Sequence, residues 1–133
     1  MKIPEKVVAD IVSEASTKMS DPNYSAVMVG GFVQTQKAAA AYVSAHETEL
    51  GGAEGVVGTI FHASLLALCF QRANNRTIRE MEFDDLNHVA DGDREAALKQ
   101  QQPALVAYIT ENVDEDAVRS VLMLLALAMD WVS

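Results

Sequence analysis

The sequence predicts an all-α fold, a single-domain helical bundle of about five to seven helices spanning residues 1–133. Half of the residues are hydrophobic but only 6% are aromatic, so the core must be built from Ala, Val, Leu, Ile and Met. That composition, with three Pro and seven Gly, suits helices better than strands. Apolar residues also recur at three- and four-residue steps, the spacing of one helix face.

The first helix is predicted to start near Pro4 and to end before Ser20-Asp21-Pro22. Its opposite face carries charged and polar residues. Asp21 can cap the next helix, with Pro22 at its first position. The predicted apolar face consists of Ile3, Val7, Val8, Ile11, Val12, Ala15 and Met19.

A second helix is predicted from about Pro22 to Glu49, with Gly30-Gly31 inside it. Each glycine costs a helix about 1 kcal/mol relative to Ala. Close approach of another helix would explain the pair, and the alternative is a break in the helix. Gly51-Gly52 is predicted to end this helix, because a left-handed cap favours Gly.

A third helix, over about residues 53–73, is apolar nearly all round and should be central or covered by a second subunit. Asn74-Asn75 should end it. The stretch Thr77 to Glu80 resembles a capping box that would open a short helix. A second short helix is predicted from near Asp84 to Gly92.

The last part of the chain predicts two longer helices. Asp93 can cap one that reaches Asn112, with a kink or break at Pro103. Asp114 can cap the last one, over residues 115–132, which is almost wholly apolar. We expect the third and the last helix to be innermost.

Two segments repeat one pattern, QKAAAAYV from Gln36 and QPALVAYI from Gln102. Each leads through a turn to Leu-Leu-Ala-Leu, at residues 65–68 and 124–127. One interpretation is an internal duplication of helical hairpins, with halves 22–73 and 93–133 about a pseudo-twofold axis. The other is chance, since Ala and Leu are common.

Charge and cysteine content restrict the classes of function. A net charge of −9 argues against binding to nucleic acid or to an anionic membrane. A single cysteine, Cys69, excludes an internal disulfide and predicts a small buried hydrophobic residue. No export signal is visible near the N-terminus, and we expect a cytoplasmic protein without a cofactor.

Three groups of residues are candidates for a site. Two i, i+3 pairs could supply metal ligands, His46 with Glu49 and Asp85 with His88. Together they form an incomplete version of the carboxylate–histidine ligand set of di-iron bundles. An anion or an acidic partner could bind the arginine cluster around the Asn-Asn turn, and a small molecule could occupy a pocket between the halves. The cluster consists of Arg72, Arg76 and Arg79, and the pocket would be lined by Tyr42, Phe61, Tyr108 and Met123.

No catalytic constellation stands out, whereas apolar helix is abundant. The preferred hypothesis is therefore a non-enzymatic helical interaction module, such as an adaptor, a chaperone-like binder or an inhibitor. Two nearly all-apolar helices in so small a chain also predict a homodimer. The alternatives are a metal-dependent helical enzyme and a small-molecule binding protein.

Overall fold

The computed structural model describes residues 2–133, and over these residues it contains nine α-helices and no β-strand. The all-α prediction is confirmed, although the helices outnumber the predicted five to seven or so. The helices are α1 (Glu5–Lys18), α2 (Tyr24–Thr35), α3 (Lys37–Ala45), α4 (Glu47–Leu50), α5 (Ala53–Asn74), α6 (Phe83–His88), α7 (Arg94–Gln101), α8 (Pro103–Asn112) and α9 (Asp116–Val132).

Helices α5 and α9 pack against each other at the centre of the fold. Every residue from Val121 to Met129 is buried, as is Cys69 on α5. By length and composition alone α5 would also suit a membrane span, a test that core helices of soluble proteins pass too. Half (50%) of its most apolar window is buried in this fold. The third and the last predicted helices, α5 and α9, therefore lie innermost, as expected.

The predicted helix over residues 22–49 is divided, because Gln36 leaves helical geometry with φ −128° and ψ 64°. Its buried side chain makes two long-range hydrogen bonds. Oε1 accepts from the backbone N–H of Met81 at 2.8 Å, and Nε2 donates to the carbonyl oxygen of Arg79 at 3.1 Å. The break places this amide against the non-helical segment before α6, where the backbone of Arg79 and of the buried Met81 needs partners.

The predicted break at Pro103 is confirmed, and Gln102 has the same role there. Its φ of −142° and ψ of 72° resemble those of Gln36. Oε1 accepts from the backbone N–H of Ile3 at 2.7 Å, and Nε2 donates to Oδ1 of Asp130 at 2.8 Å. Pro103 then occupies the first position of α8, where its missing N–H is not needed.

The two central helices are each contacted by three outer helices in the same chain order. Helices α1, α2 and α3 contact α5, as α6, α7 and α8 contact α9. Two pairs cross between the groups, α1 with α8 and α3 with α6. Helix α4 has no counterpart in the second group and touches both central helices.

The turn between α4 and α5 depends on glycine at two points. Gly51 adopts a φ of +92°, in the left-handed region that the predicted cap requires. A Cβ at Gly55 would lie 1.6 Å from the carbonyl oxygen of Leu50, so only glycine fits. The prediction of Gly51-Gly52 as a helix end is confirmed, as is the end at Asn75, whose φ is +55°.

Several predicted boundaries are wrong. The capping box is formed by Glu82 and Asp85 at the start of α6, and the stretch from Thr77 to Glu80 is not helical. Glu115, and not Asp114, occupies the cap position of α9. Asp93 does cap its helix as predicted, by accepting from the N–H of Ala96 at 3.0 Å.

The first helix buries Ile3, Val8, Ile11 and Ala15 as predicted. Met19, at its end, is exposed instead. Helix α1 ends at Lys18, so that Met19 already belongs to the turn. The apolar periodicity therefore marks the inner face of α1 up to its last turn.

Candidate functional site

The predicted metal-ligand residues have other partners in the fold. Both carboxylate oxygens of Asp85 accept from the guanidinium of Arg79, at 2.9 and 3.0 Å, and one also accepts from the N–H of Glu82. The hydrogen bond from Arg79 is the main cause that lowers the pKa of Asp85. His88 stacks on the indole of Trp131, with ring centroids 3.9 Å apart. Asp85 is thus a capping residue of α6.

The other two predicted ligands lie near the α3–α4 junction. Nδ1 of His46 lies 2.8 Å from the carbonyl oxygen of Tyr42, and Glu49 is exposed. Among residues 2–133 no three His, Cys, Asp or Glu side chains converge in a group that could hold a metal ion. The two i, i+3 pairs are therefore not joined into one ligand set.

Two of the three clustered arginines are paired with carboxylates. Arg72 forms a two-pronged hydrogen bond to Glu14, and Arg79 forms one to Asp85. Arg76 has no such pair among the described residues, and it lines an open cavity of about 420 Å³ together with Arg72. The structure thus brings Arg72 and Arg76 together but assigns Arg79 to the cap of α6.

The four residues of the predicted pocket do not line one cavity. Tyr42 packs on His46, and Phe61 makes an edge contact with Tyr24. Met123 lines a cavity beside α7. Of the four, only Tyr108 lines the groove between α1 and α8.

That groove has a volume of about 680 Å³ and is open to solvent. The α1–α8 groove, as we name it, takes side chains from successive turns of both helices. Its only charged lining residues are Glu5 and Glu111. It is lined by Glu5, Val8, Ala9, Val12, Ser13, Ala104, Ala107, Tyr108, Glu111 and Asn112.

A tyrosine–histidine pair lies behind the groove. The hydroxyl of Tyr108 is 2.8 Å from Nδ1 of His62, on the central helix α5. Burial lowers the pKa of His62, and the carboxylate of Glu115 opposes this shift. Burial also raises the pKa of Tyr108 and brings that of Cys69 to about 12. The raised pKa values keep the hydroxyl of Tyr108 and the thiol of Cys69 protonated at neutral pH, and the protonated groups are poor nucleophiles.

The outer face of α2 is apolar but exposed to solvent. Val27 is 67% exposed and Val33 is 40% exposed, and a Cβ on Gly30 or Gly31 would meet nothing within 4 Å. No helix of the described chain therefore approaches the glycine pair, contrary to the predicted close packing. The α2 face, as we name it, consists of Ala26, Val27, Gly30, Gly31, Val33 and Gln34.

Sequence reasoning missed the α2 face as a surface, although a signal was present. No charged residue occurs between Asp21 and Lys37. A helix with one solvent-exposed face usually carries charged residues at regular intervals along that face. An uncharged helix is usually interpreted as buried, and here only Phe32 is fully buried.

Comparison with known proteins adds no assignment, because no family model, curated protein or solved structure matches this chain. Two surfaces, the α1–α8 groove and the α2 face, are therefore the candidate functional sites.

Proposed function

We propose that this protein is a non-enzymatic helical interaction module that self-associates through the α2 face. The observation that carries the proposal is an exposed apolar helix face without a single charge, on a chain of net charge −9. Exposed apolar patches on soluble proteins commonly mark interaction sites.

The composition of the α2 face supports a helix as the occupant. Gly30 and Gly31 remove side chains from its middle, so that another backbone could approach closely. Val27 and Val33 stand on either side of the glycines and would lose exposed apolar surface on contact. The helix-propensity cost of two glycines has no compensation within the described chain, which favours one from outside.

Charge favours a second copy of this chain as the partner. Two chains of net charge −9 repel each other across most of their surfaces. The α2 face is a region where they could meet without opposing like charges. A twofold contact is self-complementary, so that one such face per chain is sufficient.

Sedimentation equilibrium on the wild type and two double variants tests this proposal. Val27→Lys with Val33→Lys places two charges on the α2 face. Ala96→Lys with Gln100→Lys adds the same charge to exposed positions of α7. We expect dimers from the wild type and the α7 variant, and monomers from the α2 variant. A monomeric wild type, or equal behaviour of the two variants, would contradict the proposal.

We also propose that the halves arose by duplication, as the repeated Gln-x-Ala-x-x-Ala-Tyr pattern predicts. Two further observations support the duplication. The backbone angles of Gln36 and Gln102 are similar, and the helices of each half contact their central helix in the same order. The duplicated unit would then be longer than the predicted halves, since α1 corresponds to α6. Each glutamine binds the segment that leads into the first helix of the other unit.

A further inference from the structure

The α1–α8 groove follows both of its helices for about two turns. Its walls are residues 5, 8, 9, 12 and 13 of α1 and 104, 107, 108, 111 and 112 of α8. These are i, i+3 and i+4 series, so each wall is one ridge of a helix. The hydrogen bond from Ile3 to Gln102 holds the starts of the two helices together. A groove between two side-by-side helices is the usual seat of a third helix.

The base of the groove is apolar, and its two charged groups are both acidic. Glu5 lies near the start of α1, and Glu111 lies near the end of α8. Neither has a cationic partner within 4 Å among the described residues. Because the helices start together, the two carboxylates mark opposite ends of the groove. Seven residues of α8 separate Glu111 from Ala104, which corresponds to roughly 10 Å along the helix.

A smaller cavity of about 200 Å³ adjoins the groove at Asn112, which lines both. Its charged lining residues are again acidic, Glu54 and Glu115, and His62 lies between them in the chain. No Lys or Arg lines either cavity. The charged side chains that line the two cavities are therefore all acidic, and the guanidinium of Arg119 is bound to the carbonyl oxygens of Thr110 and Val113 at the end of α8. Such a lining suits a cationic ligand with an apolar side.

Under the proposed duplication, the helices that correspond to α1 and α8 are α6 and α3. The counterpart of α1 is α6, which has only six residues where α1 has 14. The long α1 therefore extends beside α8 further than α6 can extend beside α3.

We propose that the α1–α8 groove binds a cationic amphipathic helix of a partner protein. Apolar side chains of that helix lie over Val8, Val12 and Ala107. Its Lys or Arg residues lie near Glu5 and Glu111, about two turns apart. This inference goes beyond self-association, because no residue of α2 lines the groove.

Fluorescence anisotropy with the full-length protein tests the groove. The probe is a labelled peptide of Leu and Lys, about 18 residues long, with helical amphipathic spacing. Two control peptides have Glu in place of Lys, or the same residues in an order without amphipathic spacing. We expect saturable binding of the amphipathic Lys peptide alone, weakened by salt.

Two double variants with the same change in net charge locate the binding site. Glu5→Gln with Glu111→Gln alters the groove, and Glu47→Gln with Glu80→Gln alters exposed positions that line no described cavity. The groove variant should weaken binding about tenfold, and the control variant about twofold or less. All four positions are exposed, and a thermal melt checks that each variant is folded.

Three results would overturn the inference. One is the absence of saturable binding by the Lys peptide. Another is equal weakening by both variants, which would mean attraction to the net charge only. The third is displacement of the peptide by a small apolar amine at equal concentration, which would assign the groove to a small organic cation. Sedimentation of the same variants separates these outcomes from a failure of the proposed dimer.

Discussion

Helices α2–α3 and α7–α8 bury matching positions, but their exposed positions differ in polarity. Counted from their glutamines, Phe32 matches Leu98 and both are buried. On the outside, Val33 matches Lys99, and the pair Gly30-Gly31 matches Ala96-Ala97. Contact with the core restricts the inner positions, whereas the outer positions are free to differ. The apolar exterior of α2 is therefore not a requirement of the fold, and the proposed self-association would account for it.

The largest expected effect comes from removing the buried glutamine side chain that both halves contain. Gln36→Ala leaves the buried N–H of Met81 without its acceptor, and Gln102→Ala does the same to the N–H of Ile3. Each unmet buried group costs about 1–3 kcal/mol. We expect each variant to lose about 2–4 kcal/mol in the free energy of unfolding, measured with urea.

Gln34→Ala and Gln100→Ala are the matched controls, because these glutamines are exposed two residues earlier in each half. They should change the free energy of unfolding by less than about 0.5 kcal/mol. The duplication predicts nearly equal losses for Gln36→Ala and Gln102→Ala. A large loss for one and none for the other would separate the two halves and oppose a common origin.

The next largest effect tests the feature that only the first half has, the α4–α5 turn. Gly55→Ala places a Cβ against the carbonyl oxygen of Leu50, so the turn must shift. We expect a loss of about 2–3 kcal/mol, measured by urea unfolding. Gly58→Ala, one turn later, meets nothing within 4 Å and should not destabilise the protein. Equal effects of the two variants would show that the turn does not depend on the small size of Gly55.

A smaller effect is expected from exchanging the outer residues between halves. Gly30→Ala and Gly31→Ala have open space and should each raise the free energy of unfolding by about 1 kcal/mol. Ala96→Gly and Ala97→Gly should lower it by similar amounts. Urea unfolding at low protein concentration measures the effect on the monomer. A loss of stability from Gly30→Ala would indicate that the glycines are needed inside the fold.

Local sequence signals predicted those parts of the fold that local chemistry determines. Pro103, Gly51 and Asn75 mark helix ends because their backbone preferences act wherever they occur. The break at Gln36 has no such signal, since it depends on an N–H group 45 positions along the chain.

The sites were less predictable because they depend on tertiary partners. The pairing of Arg72 with Glu14 joins residues 58 positions apart, and the sequence placed that arginine in an anion patch. Tyr108 lines a groove, but the residues that face it there come from α1 and not from the predicted set. The uncharged stretch of α2 was visible, yet composition alone does not distinguish a buried helix from an exposed interface.

The smallest expected effect distinguishes the two tyrosines that end the repeated pattern. Tyr42 packs on His46, and the effect concerns the different partner of Tyr108. Tyr108 pairs with the partly buried His62, whose pKa in the folded protein is below its ordinary value of 6.5. Well above pH 6.5, His62 is neutral in both the folded and the unfolded chain. As the pH falls below 6.5, the unfolded chain takes up the proton more readily, so the free energy of unfolding decreases. Urea unfolding at pH 7.5 and 5.5 should show this decrease in the wild type. In His62→Gln the decrease should be smaller, because the glutamine keeps a polar partner for Tyr108 but does not titrate. An unchanged pH dependence would assign the decrease to other groups. His62 would then have only a packing role, like Val121 at the corresponding position of the second half.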